Sequence, residues 1–215
     1  MPLLILDLDN TLLDRAGAFQ AWAREFVRTV GAPESDVDWI LGVDADGMTD
    51  RWDVADALKE RYRLRTSAID LVDALRDVEV HNSRFDPLVG CALNIASQLG
   101  WVPVVVTNGQ TRLQEAKIRN SGLDAYVAGW VISEEAGVSK PNPRIFGIAA
   151  DRARMHLRGA WIVGESPEAD IGGASALGLP SVWLHRGRQW SDPRYTPTIT
   201  AEGPIAALAA VIGTG

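Results

Sequence analysis

Cysteine and histidine are both scarce in this chain. Cys91 stands alone among 215 residues, so no internal disulfide can hold the fold, and a lone thiol suits a reducing compartment such as the cytoplasm. The three histidines, His81, His156 and His185, lie far apart and show no metal-ligand spacing. Basic residues number 21 against 28 acidic ones, and a net charge of −7 argues against a nucleic-acid partner, which needs a basic surface to neutralise phosphates. Long apolar runs are missing too. The stretch Pro204 to Ile212 falls far short of the ~20 residues that cross a bilayer, so no membrane partner is expected. The amino-terminal Met1 to Leu6 carries no basic residue before it meets Asp7 and Asp9, so it does not read as a targeting segment. Nor is the chain short of apolar residues: 47% of them is ordinary for a globular protein, which sets aside disorder and low complexity. At roughly 150 residues per domain, the length fits one domain carrying an insertion.

Several short apolar runs alternate with helical segments. Leu3 to Leu6, Val102 to Val106, Tyr126 to Ile132, Ala160 to Val163 and Ser181 to Leu184 each fit a strand buried on both faces. Between them, Asp86 can cap a helix opened by Pro87, with Leu88, Ala92, Ile95 and Leu99 as its apolar stripe. Thr111 to Asn120 reads as a second helix, Asn142-Pro143 starts a third, and Ser166-Pro167 starts a fourth that ends near Gly178. This alternation predicts an α/β fold, a Rossmann-like doubly wound parallel sheet. Residues 14–86 break the rhythm. They hold no convincing strand, and stripes such as Phe19, Trp22, Ala23, Phe26 and Val27, or Trp52, Ala55, Leu58 and Tyr62, recur at helical spacing. An all-helical insertion is therefore expected after the first strand, between core segments 1–13 and 87–215. Trp22 and Trp52 are expected in its core, and Cys91 in the core of the sheet domain.

Four groups of residues fall at expected strand ends. Asp7 and Asp9 follow the first strand, on one side of it if the extended backbone persists, and two neighbouring carboxylates call for a cation or a shared proton. Thr107-Asn108-Gly109 follows the second strand, where a hydroxyl and successive N–H groups can cradle an anion. Lys140 precedes Pro141. Glu165 and Asp170 follow the run Ala160 to Val163 and add hard oxygen donors of the kind magnesium takes. Taken singly, each has a plain structural reading as helix caps, turns or a surface lysine.

In this order the four groups resemble the haloacid dehalogenase-like hydrolase superfamily. The matching residues are Asp7-Leu8-Asp9-Asn10-Thr11, Thr107, Lys140, and the loop from Gly164-Glu165 to Asp170. The stretch from Val106 to Phe146 is similar to the small-metabolite phosphatases of that superfamily. The resemblance covers residues 3 to about 186 and implies that the helical insertion is a cap domain. It implies catalysis by Asp7 as nucleophile and Asp9 as proton donor and acceptor. Thr107, Asn108, Gly109 and Lys140 would bind the phosphoryl group, and Mg²⁺ would be held by Asp7, the Asp9 carbonyl, Glu165 and Asp170. The implied activity is hydrolysis of a small phosphorylated metabolite, a nucleotide or sugar phosphate, through an aspartyl-phosphate. Dehalogenating members lack an acid where Asp9 stands, because a halide needs no proton to leave. The family has aspartate where Glu165 stands, which puts metal binding in question and keeps open a non-catalytic phospho-ligand or protein-binding relative; a phosphomutase is a third reading.

Other features point less far. Lys59, Arg61, Arg63 and Arg65 form a basic patch that reads as a solvated face, Trp39 could stack on a base or sugar, and Asp44-Ala45-Asp46-Gly47 reads as a turn.

Overall fold

A computed structural model describes residues 1–214. They divide into two compact units, one of residues 1–13 and 85–214 and one of residues 14–84.

The first unit is built on a six-stranded sheet of β1 (Leu3–Leu6), β4 (Val102–Thr107), β5 (Trp130–Ile132), β6 (Trp161–Gly164), β7 (Ser181–Leu184) and β8 (Ile199–Ala201), in the order β5-β4-β1-β6-β7-β8. Every pairing in it is parallel. Two-residue strands β2 (Leu13–Asp14) and β3 (Arg84–Phe85) mark where the chain leaves and rejoins this unit. The continuous apolar runs have a direct cause. Leu3 and Ile5 of β1 enter a core with Val104, Val106 and Ile162, whereas Leu4 and Leu6 enter another with Val105, Val163 and Leu184. A sheet buried on both faces leaves no room for the polar half of an alternating pattern.

Helices α5 (Pro87–Gln98), α6 (Thr111–Asn120), α7 (Ser133–Ala136), α8 (Pro143–Arg152), α9 (Gly173–Leu177) and α10 (Pro204–Ile212) complete the unit. Their starts follow local chemistry: the carboxylate of Asp86 accepts the Leu88 N–H at 2.8 Å, and Asn142 accepts that of Arg144 at 3.0 Å. The apolar stripe expected on α5 is not the buried one. Val89, Leu93 and Ala96 are buried, while Leu88, Ile95 and Leu99 are exposed, and so is Cys91. Two stripes of equal period share this helix, and Gly90 decides between them. A Cβ there would lie 2.8 Å from the Tyr126 ring, so only a glycine face admits that ring. The run expected to extend from Tyr126 pairs as a strand only from Trp130, because a 3₁₀ turn at Leu123–Ala125 precedes it and the Tyr126 ring packs on Phe85. Strand β8, short and partly exposed, escapes a reading based on apolar runs.

The second unit holds α1 (Arg15–Val30), α2 (Asp36–Asp44), α3 (Arg51–Tyr62) and α4 (Ala68–Asn82) around Phe19, Ala23, Ile40, Val54, Leu58, Val72 and Leu75. Its core also buries charge. Arg15 donates to Asp44 at 2.6 and 2.9 Å and to Glu79 at 3.0 and 3.1 Å, and Arg51 adds a bond to Asp44 at 2.6 Å. Two guanidinium groups and two carboxylates balance, which is what lets Asp44 and Arg15 stay buried. The basic patch is partly spent inside this unit: Arg61 pairs with Asp36 at 2.8 Å and lies 4.4 Å over the Trp39 ring. Trp52, expected in the core, is exposed, because Val54, Ala55 and Leu58 turn the buried face of α3 away from it. No helix among the described residues is long and apolar enough to cross a membrane.

Candidate active site

Strand order reverses at β1, whose neighbours are β4 and β6, so three strand ends meet at one carboxyl edge. Open parallel sheets bind ligands at such a point. Asp7, Thr107 and the pair Gly164-Glu165 lie there, one group at the end of each strand.

Asp7 continues the line of β1, its N–H donating to Val163 O at 3.0 Å. Both of its carboxylate oxygens are held: Thr11 Oγ1 donates to one at 2.9 Å and Lys140 Nζ to the other at 2.7 Å. The turn that brings Thr11 back is closed by the N–H groups of Leu12 and Leu13 on Leu8 O at 2.9 and 3.0 Å. Asn10 takes φ 59° within that turn, a left-handed conformation that asparagine tolerates.

The same Lys140 ammonium donates at 2.7 Å to Asp170, whose side chain is only 1% exposed and whose other oxygen accepts the Ser166 N–H at 3.0 Å. One ammonium thus serves a buried and a partly buried carboxylate. Burial pushes the Asp7 carboxyl up to about 6; Lys140 opposes the rise, and the charges of Asp170 and Asp9 add to it. Burial alone would lower the Lys140 ammonium, yet the Asp170 and Asp7 charges outweigh it and raise it. Lys140 is aimed by its own backbone: Asn108 accepts the Lys140 N–H at 2.8 Å and donates to its carbonyl at 3.0 Å.

Asp9 has a different cation. Lys117 Nζ lies 3.0 Å from each Asp9 oxygen, and Gln114 Nε2 donates to Asp9 at 2.9 Å and to Thr107 Oγ1 at 2.7 Å. Gly109, at φ 145°, gives its N–H to Ser133 Oγ at 2.9 Å. Glu165 points to the loop after β7, where Arg188 donates to its carboxylate at 2.7 Å and Arg186 stands at 3.6 Å. Burial raises the Glu165 carboxyl, the charge of Asp7 adds to this, and Arg188 pulls the other way.

The structure therefore brings Asp7, Asp170, Lys140 and Asn108 into one network, and joins Asp9 to Thr107 through Gln114. It does not bring Glu165 to the same ammonium. The sequence reading did not single out Gln114, Lys117, Arg186 or Arg188. Their spacing offered only a weak signal: Gln114 and Lys117 are three apart on α6 and share a face.

The chemistry of the donors bears on a metal. Asp7 and Asp170 supply hard oxygens and exceed the charge of Lys140, which fits a divalent cation such as Mg²⁺. Glu165 is engaged by arginines instead, and the described residues hold no cluster of three acidic, histidine or cysteine side chains arranged around a common metal position.

A doubly wound parallel sheet with an aspartate pair, a buried lysine and a second acidic loop at its carboxyl edge defines the class of this chain. It belongs to the haloacid dehalogenase-like hydrolases, whose family model matches residues 1–178. It is 34% identical over 104 residues to a phosphoserine phosphatase of Thermus thermophilus, covering 48% of this chain and 42% of that protein. It is 37% identical over 97 residues to the pyrimidine 5'-nucleotidase YjjG of Escherichia coli, covering 45% and 43%. The match thus spans less than half the length of each of these relatives. The fold is shared with the magnesium-bound HAD-hydrolase YfnB of Bacillus subtilis, with a TM-score of 0.75, 22% identity, and coverage of 99% and 97%.

Proposed function

We propose that the protein is a phosphatase acting on a small phosphorylated metabolite, a nucleotide or sugar phosphate, with Mg²⁺. The observation that carries this reading is the Lys140 ammonium held 2.7 Å from both Asp7 and Asp170, beside a second acid, Asp9. Similarity to a phosphoserine phosphatase and a nucleotidase supports it.

Asp7 is fixed by Thr11 and Lys140 in one orientation, which suits an in-line nucleophile. Its oxygen attacks phosphorus as the bond to the leaving oxygen breaks, forming an aspartyl-phosphate. The Asp9 carboxyl gives its proton to the leaving oxygen. It then takes one from the water that cleaves the intermediate. Thr107 and Lys140 face the charge spread over the phosphoryl oxygens, with Asn108 aiming Lys140 and Gly109 shaping the loop. Asp7, Asp170 and the Asp9 carbonyl would hold Mg²⁺, with Glu165 contributing through a water once released from Arg188. The ion would neutralise phosphoryl charge when bound. The helical unit would act as a cap that excludes bulk water. Asp9 also separates this reading from dehalogenation, where the leaving halide takes no proton.

The test is phosphate release from a panel of nucleotides, sugar phosphates and phosphorylated acids, with Mg²⁺ and with EDTA, for the wild type and Asp7→Asn. Magnesium-dependent release by the wild type alone is expected. No release from any compound, together with no Mg²⁺ binding by calorimetry, would instead favour a phospho-ligand or protein-binding relative, the reading that the capture of Glu165 by Arg188 supports.

A further inference from the structure

We infer that Lys117 and Gln114 are positioning residues that aim Asp9 at the leaving oxygen, an inference that rests on the phosphatase reading above. Both side chains are 3% exposed, and both reach Asp9 from α6, although neither belongs to a strand end. Burying an ammonium is costly without a charged partner, and the partner here is Asp9, which Lys140 does not hold. Lys117 meets both Asp9 oxygens at 3.0 Å, which removes the rotation of the carboxylate about its own axis. Gln114 adds direction. Its amide donates to Asp9 at 2.9 Å and to the Thr107 hydroxyl at 2.7 Å, tying the proton-transfer group to the end of β4. Gly109 makes room for this amide, since a Cβ there would lie 3.1 Å from the Gln114 side chain. While one Asp9 oxygen stays on Lys117, the other can carry the proton that passes to the leaving oxygen and is later replaced from water. A carboxylate held this way costs little reorientation at the moment of transfer.

A role in proton delivery has a signature that a purely structural role lacks. A good leaving group needs little protonation and a poor one needs much. Phenyl phosphate and p-nitrophenyl phosphate share an aryl phosphate frame and differ strongly in leaving-group basicity, so both are to be assayed with the wild type, Lys117→Met, Lys117→Arg and Gln114→Met. Lys117→Met is expected to lower kcat/KM, which reads only the transfer to Asp7, on phenyl phosphate roughly 10²-fold while changing that on p-nitrophenyl phosphate only a few-fold. Gln114→Met should show the same bias more weakly, without altering buried charge. Lys117→Arg, which keeps a cation at Asp9, should recover much of the phenyl phosphate rate. Equal losses on both compounds, or no loss, in variants that retain the wild-type circular dichroism would overturn the inference while leaving the phosphatase reading intact. If Lys117→Met fails to fold, Gln114→Met decides by the same ratio. A wild type inactive on both aryl phosphates and on the metabolite panel would overturn the phosphatase reading and the inference together.

Discussion

A Cβ placed on Gly164 would lie 2.2 Å from the Asp170 carboxyl carbon, so the last residue of β6 has no room for a side chain. This contact lets Asp170 lie against the strand end and meet Lys140. Gly164→Ala should therefore push Asp170 off Lys140 and Ser166. A cost of about 1–3 kcal/mol in stability is expected, as for overpacking elsewhere, with phosphatase activity falling further than the loss of fold explains. Chemical denaturation and phosphate release on the same preparation check this; activity unchanged from wild type would mean that Asp170 need not sit where it does.

Asp7→Asn should abolish turnover and leave the fold intact. It should also remove a pH dependence of stability measured in EDTA. The folded Asp7 carboxyl sits at about 6 against an ordinary 3.8, so the folded state binds its proton more tightly. The resulting stabilisation is complete below the ordinary value and is lost as pH rises through about 6. Wild type should thus gain on Asp7→Asn as pH falls from about 7 to about 4. Parallel melting-temperature curves would contradict the burial assigned to Asp7.

Arg188→Ala should free Glu165 from its 2.7 Å partner and raise the affinity for Mg²⁺ by about tenfold, the low end of the scale on which outer contacts tune metal ligands. Isothermal titration reads this directly. An unchanged affinity would show that Arg188 does not hold Glu165 away from the metal.

Asp44→Asn in the helical unit should be costly, because it leaves Arg15 and Arg51 short of a carboxylate that is 2% exposed. Breaking a buried pair by removing one partner costs about 3–5 kcal/mol. Thermal unfolding should show the loss; a change below about 1 kcal/mol would mean that Glu79 alone balances both guanidinium groups.

Much of this architecture is legible along the chain. The termini of α6 and β7 follow from periodicity and flanking residues, and Asp86 and Asn142 cap helices as their chemistry demands. The readings that fail share a cause. Leu88, Ala92, Ile95 and Leu99 follow the same helical spacing as Val89, Leu93 and Ala96, and Trp52 sits among true core positions, so period alone cannot say which stripe is buried. The ring of Tyr126 against Gly90 settles the first case, and it comes from 36 residues away.

The candidate site divides in the same way. Asp7, Asp9, Thr107, Lys140, Glu165 and Asp170 could be named from one chain because their order resembles that of a known superfamily, and most of them follow strands of a parallel sheet at one edge. Which charge meets which was decided only in three dimensions. Lys140 binds Asp7 and Asp170, Lys117 binds Asp9, and Arg188 draws Glu165 aside. Local sequence sets strands, helices and caps because those depend on neighbouring residues. Ion pairs spanning 23 to 133 positions depend on how strand order and helix docking bring distant side chains together under burial, where each charge must find a partner.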